Sequence, residues 1–159
     1  MRIVLKISTV LSWINLVIGG LLTLLGLLTV LTARNFSMLI MPLFFSSIIL
    51  HSYAALQLRR SIINPTRPLS SQTPTGIRFI GAVALFFGIG AFANSIALLQ
   101  NSREYLKVIQ PGLPEGFHFG LRELRLTGII TLLVGSGIAL NVMLNFRLLR
   151  WYYLMKGMM

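Results

Sequence analysis

A chain of 159 residues that is 55% hydrophobic and only 11% charged, with a mean hydropathy of +0.82, is too apolar for a soluble domain, where about a quarter of residues are charged. Fourteen Lys and Arg stand against three Glu, but they lie in short stretches between apolar runs. That pattern argues against nucleic acid and for topology signals and lipid headgroup contacts. With no cysteine in the chain, disulfides, iron–sulfur clusters, thiolate metal sites and cysteine nucleophiles are excluded.

The first apolar run, residues 7–33, carries no charge until Arg34. Arg2 and Lys6 precede it as they would a signal peptide, but it far exceeds an h-region and lacks a clear A-x-A site, so it is expected to be a retained span. Ser8, Ser12, Asn15, Gly19, Thr23 and Gly26 recur at steps of three and four, which puts them on one helical face. The short link "TARNFS" makes the next span, 36–58, an adjacent antiparallel neighbour. In it Ser47, His51 and Ala54 align, and Pro42 removes a backbone donor and is expected to bend the helix.

Residues 59–78, "RRSIINPTRPLSSQTPTGIR", read as an irregular connector rich in Pro, Ser and Thr. The third span, 79–101, carries a small-residue seam at Gly81, Ala84, Gly88, Ala91 and Ser95. The long segment 102–125 has room for a short helix around Arg103 to Val108, a turn at Pro111 and Gly112, and a stretch anchored by Phe117 and Phe119. It holds all three acidic residues of the chain. Glu115-x-x-His118 followed by Glu123 resembles half of a carboxylate–histidine metal site, without the second half a dimetal centre needs. The fourth span, 126–147, offers Gly128, Thr131 and Gly135 on one face, with Gly137, Asn141 and Asn145 on a neighbouring one; Trp151, Tyr152 and Tyr153 follow as an interfacial belt.

The fold class expected is therefore all-α, a single transmembrane domain of four helices built as two antiparallel hairpins. The side holding both termini and the middle loop carries nine basic residues and no acid, against five basic residues and the three glutamates on the other. The positive-inside rule makes it cytoplasmic, and a bacterial inner membrane is the expected location. Arg59, Arg60, Arg67, Arg78, Arg147 and Arg150 on that side are candidate contacts for anionic lipids.

Spans three and four share a pattern. "RFIGAVALFFGIGAFAN" (78–94) and "RLTGIITLLVGSGIALN" (125–141) carry Arg, three Gly and Asn at matching places. In lipid, helices associate through close approach at small residues and through interhelical hydrogen bonds. Gly19, Gly26, Gly81, Gly88, Gly90, Gly128, Gly135 and Gly137 are accordingly candidate packing points. An antiparallel pair of such copies is a miniature inverted repeat.

At 1.5 Å per residue, Asn15, His51 and Asn141 share a level roughly 7 Å to the cytoplasmic side of the midplane. Asn145 lies a turn deeper and Asn94 sits alone in the outer half. His51 is the one ionisable residue within the spans and so a functional candidate by default. It lacks the second intramembrane His a bis-histidine haem needs and the further ligands zinc needs. No cofactor or metal is expected, and no catalytic motif appears. The preferred reading is a small non-catalytic membrane subunit that packs against other membrane helices or against copies of itself. A transporter or channel for a neutral solute or protons, using the His51 layer, is the alternative. A lipid-modifying enzyme using Glu104, Glu115, His118 or Glu123 at the outer interface is the third.

Overall fold

A computed structural model of the protein describes residues 2–64, 66, 68–112 and 120–157, and every regular element among them is helical. Four long helices are apolar enough to cross a membrane: α1 (Arg2–Ala33), α2 (Ile40–Ile63), α3 (Gln72–Gln100) and α5 (Leu121–Gly157). The short helix α4 (Ser102–Ile109) precedes α5, and 3-10 turns occupy Phe36–Leu39 and Gln110–Gly112. Helices are the natural outcome, because a segment in hydrocarbon must satisfy its backbone groups internally.

The helices outrun the apolar spans. α5 has 37 residues, about 55 Å at 1.5 Å per residue, against about 30 Å of hydrocarbon. The segment carrying Arg147, Arg150 and Tyr153 is thus a rigid continuation of the helix. The 59–78 connector shortens likewise, since α2 runs on to Ile63 and α3 starts at Gln72. Thr73 Oγ1 donates to Gln57 Oε1 at 3.0 Å, and the Leu69 N–H reaches the Tyr152 hydroxyl at 3.4 Å.

Pro42 departs from expectation. It sits in the first turn of α2, after the 3-10 turn, where its missing N–H would lack an intrahelical partner anyway. Its ring instead packs against Gly26 of α1, where an added Cβ would lie 3.0 Å from Pro42 Cγ. The chain reverses just before, at Arg34, whose φ of 50° is left-handed. Asn35 then caps the 3-10 turn by accepting the Ser37 N–H.

α1 lies along α2 and α3 along α5, while α2 also packs on α3 and α1 on α5. Gly19 meets Ile48 and Ile49, and Gly26 meets Pro42, so position falls along α2 as it rises along α1. Two apolar clusters stack inside. One is built on Ile48, Ala84, Ile138 and Val142. The other, built on Leu58, Ile77, Leu148 and Leu149 with Val4 and Leu5 packed against it, brings the beginnings of α1 and α3 to the ends of α2 and α5.

α3 and α5 meet backbone to backbone at Gly88 and Gly135. A Cβ on Gly135 would stand 2.9 Å from both the Gly88 carbonyl oxygen and the Phe92 nitrogen. One on Gly88 would stand 3.2 Å from the Gly135 carbonyl. The matched glycines of the two copies thus face each other. Gly81 lies against Phe146 and Gly128 against Leu99, and each of those pairs is related to the other by the 47-residue offset between the copies.

Gly90 and Gly137 behave differently from what their place in the repeat suggests. Nothing lies within 4 Å of a Cβ on either one. The reason is angular: residues two apart are about 200° apart around a helix, so Gly88 and Gly90 cannot both face α5. Gly135→Ala should therefore lower stability in detergent by about 1–3 kcal/mol through overpacking against backbone. Gly137→Ala should be neutral or stabilising by up to about 1 kcal/mol through helix propensity. Thermal melts of the two variants test this; equal shifts would refute the crossing.

Candidate functional site

Between the two apolar clusters lies a layer of polar side chains. His51 is one turn from Ile48 on α2, Asn145 lies between Val142 and Leu148 on α5, and Gly81 lies between Ile77 and Ala84 on α3. Half of the serines and threonines of the long helices turn their hydroxyls onto their own backbone, as Ser46, Ser95 and Ser136 do with Pro42, Phe92 and Leu132 carbonyls. Ser8 and Ser12 reach across instead. Ser8 Oγ donates to Asn145 Oδ1 at 2.7 Å, and Ser12 Oγ donates to Asn141 Oδ1 at 3.1 Å.

Asn145 is the hub. Its Nδ2 donates to Asn141 Oδ1 at 3.1 Å and approaches His51 Nε2 at 3.4 Å. A donor at Nε2 assigns the proton of a neutral ring to Nδ1. Nδ1 faces α3 at Gly81 and is buried without a hydrogen-bond partner. Gly81 makes room for that ring, since a Cβ there would fall 2.8 Å from Nδ1 and 2.9 Å from Phe146 Cε1. The His51 and Phe146 rings meet edge to face at 6.5 Å.

His51, Asn141 and Asn145 are 0–1% exposed, so the layer is closed to lipid and to water. It is also incompletely satisfied, because His51 Nδ1 and Asn141 Nδ2 are buried without a partner. Asn15 is buried on the same face of α1 but lies outside this set of hydrogen bonds. The layer as read from the sequence thus lacked Ser8 and Ser12, which had been assigned to the packing seam. Their spacing of four, matching that of Asn141 and Asn145, was the available signal.

Asn94 stands apart, exposed on α3. It borders a groove of about 390 Å³ with Gly90, Ala91, Phe86, Met41 of α2 and Thr131 of α5. At the opposite end, Arg59 and Arg60 border a recess with Trp13, and the buried Arg59 Nε has no partner. Arg78 lies over the Tyr153 ring at 5.9 Å and shares a groove with Arg150, while Arg147 is exposed on α5. Arg67, Glu115, Phe117, His118 and Phe119 lie outside the described residues. Among those that are described, no three His, Asp or Glu side chains come together as a metal site.

Comparison with family models, with curated proteins and with solved structures finds no match.

The Ser8–Asn145 bond should be measurable by a double-mutant cycle. Interhelical hydrogen bonds in membranes average about 0.6 kcal/mol and reach about 1.7. Ser8→Ala combined with Asn145→Leu should show coupling in that range, and strictly additive losses would remove the bond from the account.

Proposed function

We propose that the chain is a small non-catalytic membrane subunit, a bundle of two antiparallel helical hairpins with both termini in the cytoplasm. It packs in a bacterial inner membrane against a helix of another subunit or of a second copy. The charge bias between the two ends supports the orientation. One observation carries the function: Asn94 is exposed beside Gly90, which is open above its Cα, in a groove lined mainly by apolar side chains, with Thr131 of α5 beside them.

An amide facing acyl chains has no partner, and polar groups in hydrocarbon cost free energy unless bonded. A small residue beside it lets a neighbouring backbone come close. The chain shows what fits such a pair. Asn141, which occupies the same place in the other copy of the repeat, is covered by α1 through Ser12. A partner helix with a hydroxyl-bearing small-residue stripe would fill the Asn94 groove in the same way.

Extraction from native membranes in mild detergent, followed by native mass measurement, should give a stoichiometric complex or oligomer. Gly90→Trp should release the partner while leaving the melting temperature unchanged, because the new ring enters the groove and not the core. A wild-type chain that runs as a lone monomer would defeat the subunit reading. Passage of protons or a neutral solute along the His51 layer is the second reading, favoured by its two unpartnered buried atoms. Liposome flux that His51→Leu abolishes without disturbing assembly would decide for it.

A further inference from the structure

We propose that the groove between the start of α3 and the end of α5 is a discrete binding site for one anionic phospholipid, its headgroup phosphate held between Arg78 and Arg150 and an acyl chain lying on the apolar floor. The inference rests on the chain lying in a membrane with this end at a headgroup plane. It is independent of whether the protein is a subunit.

The groove measures about 660 Å³, with Arg78, Arg150 and Tyr153 around it and Ala82, Phe146 and Leu149 beneath. Its charge is of one sign. Among the described residues the acidic side chains are Glu104 in α4 and Glu123 in the first turn of α5, at the other ends of α3 and α5, so neither stands beside the pair. Guanidinium groups present forked donors suited to phosphate oxygens, and basic recesses between membrane helices are suited to anionic headgroups.

Geometry separates this site from a general attraction to the membrane surface. α5 continues as a rigid helix through Arg150 and Tyr153, and Arg78 sits in the second turn of α3, so both cations stand on fixed elements. Arg78 is further held over the Tyr153 ring while remaining exposed. Below them Phe146 also packs edge to face on His51, so the floor is continuous with the buried polar layer. A free phosphate would match the arginines alone. The apolar floor beneath them selects a lipid.

The test uses the full chain, delipidated in detergent and titrated with phosphatidylglycerol or phosphatidylcholine, with bound lipid counted by native mass spectrometry. One phosphatidylglycerol should bind more tightly than phosphatidylcholine. At about 1 kcal/mol per basic residue near the headgroups, Arg78→Gln or Arg150→Gln should weaken it about fivefold. The double variant should weaken it about thirtyfold, and Arg147→Gln, outside the groove, should leave it unchanged. Ala82→Trp, which fills the floor and keeps both charges, should also displace the lipid. Equal affinity for the two lipids, equal loss in Arg147→Gln, or unaltered binding in Ala82→Trp would overturn the site. Displacement by millimolar inorganic phosphate would do so as well, by showing a phosphate site with no lipid component.

Discussion

Two backbones touch where α3 and α5 cross, and much of the remaining architecture follows from that contact. Gly88 and Gly135 bring carbonyl oxygens to within 3.2 Å of where the other's Cβ would be. Neither position accepts a methyl group without movement of backbone, which is far less yielding than a side chain. In hydrocarbon the hydrophobic effect gives no reason for helices to meet, so dispersion at such close approach becomes the main attraction. With the crossing fixed, Gly81 and Gly128 fall one on each side of it, and Phe146 and Leu99 fill the space above them.

The contact is nearly symmetric, and the departures from symmetry are informative. Gly90 and Gly137 are both turned outward, as a twofold relation requires. Asn94 and Asn141 are not alike: the first is exposed and the second fully buried. The difference comes from the first half of the chain. α1 covers Asn141 with Ser12, whereas at Asn94 only the outer part of α2, at Met41 and Phe44, borders the groove. A symmetric pair of helices is thus closed on one half and left open on the other.

Much of this was legible in the sequence because membrane helices write their lengths and small residues plainly. Four uncharged runs gave four helices of sufficient length, and Arg103 to Val108 fell inside α4. The repeat carries Gly88 and Gly135 where the two backbones approach. It misled at Gly90 and Gly137 because matching residues were weighed without their angle about the helix axis. Pro42 misled because the 3-10 turn that delays α2 leaves no mark in hydropathy. The helix ends were hidden for the same reason: Ser71 to Ile77 and Leu148 to Gly157 are polar or mixed, and hydropathy reports where lipid stops, not where hydrogen bonding does. The His51 site was half visible. Histidine and asparagine announce themselves by polarity, but serine in a small-residue seam reads as a spacer, and Gly81 gives no hint that the space it leaves is for an imidazole.

Register along the helix axes is the remaining constraint, since apolar side chains in oil lose little when a helix slides by a turn. The polar layer alone leaves an ambiguity. Ser8 and Ser12 are one turn apart, as are Asn141 and Asn145, so sliding α1 by a turn would break one hydroxyl–amide pair while preserving an equivalent of the other. The glycine notches remove that freedom. Moving α3 by a turn would bring Ile77 or Leu85 to the place of Gly81, against a histidine ring that leaves no space for even a methyl group. Moving α1 against α2 would take Gly26 off the Pro42 ring and Gly19 off Ile48. The hydrogen bonds select which faces meet, and the absent side chains select the level at which they meet. A layer with two unpartnered atoms can therefore persist inside the bundle, because every neighbouring register loses hydrogen bonds and gains steric overlap at the same time.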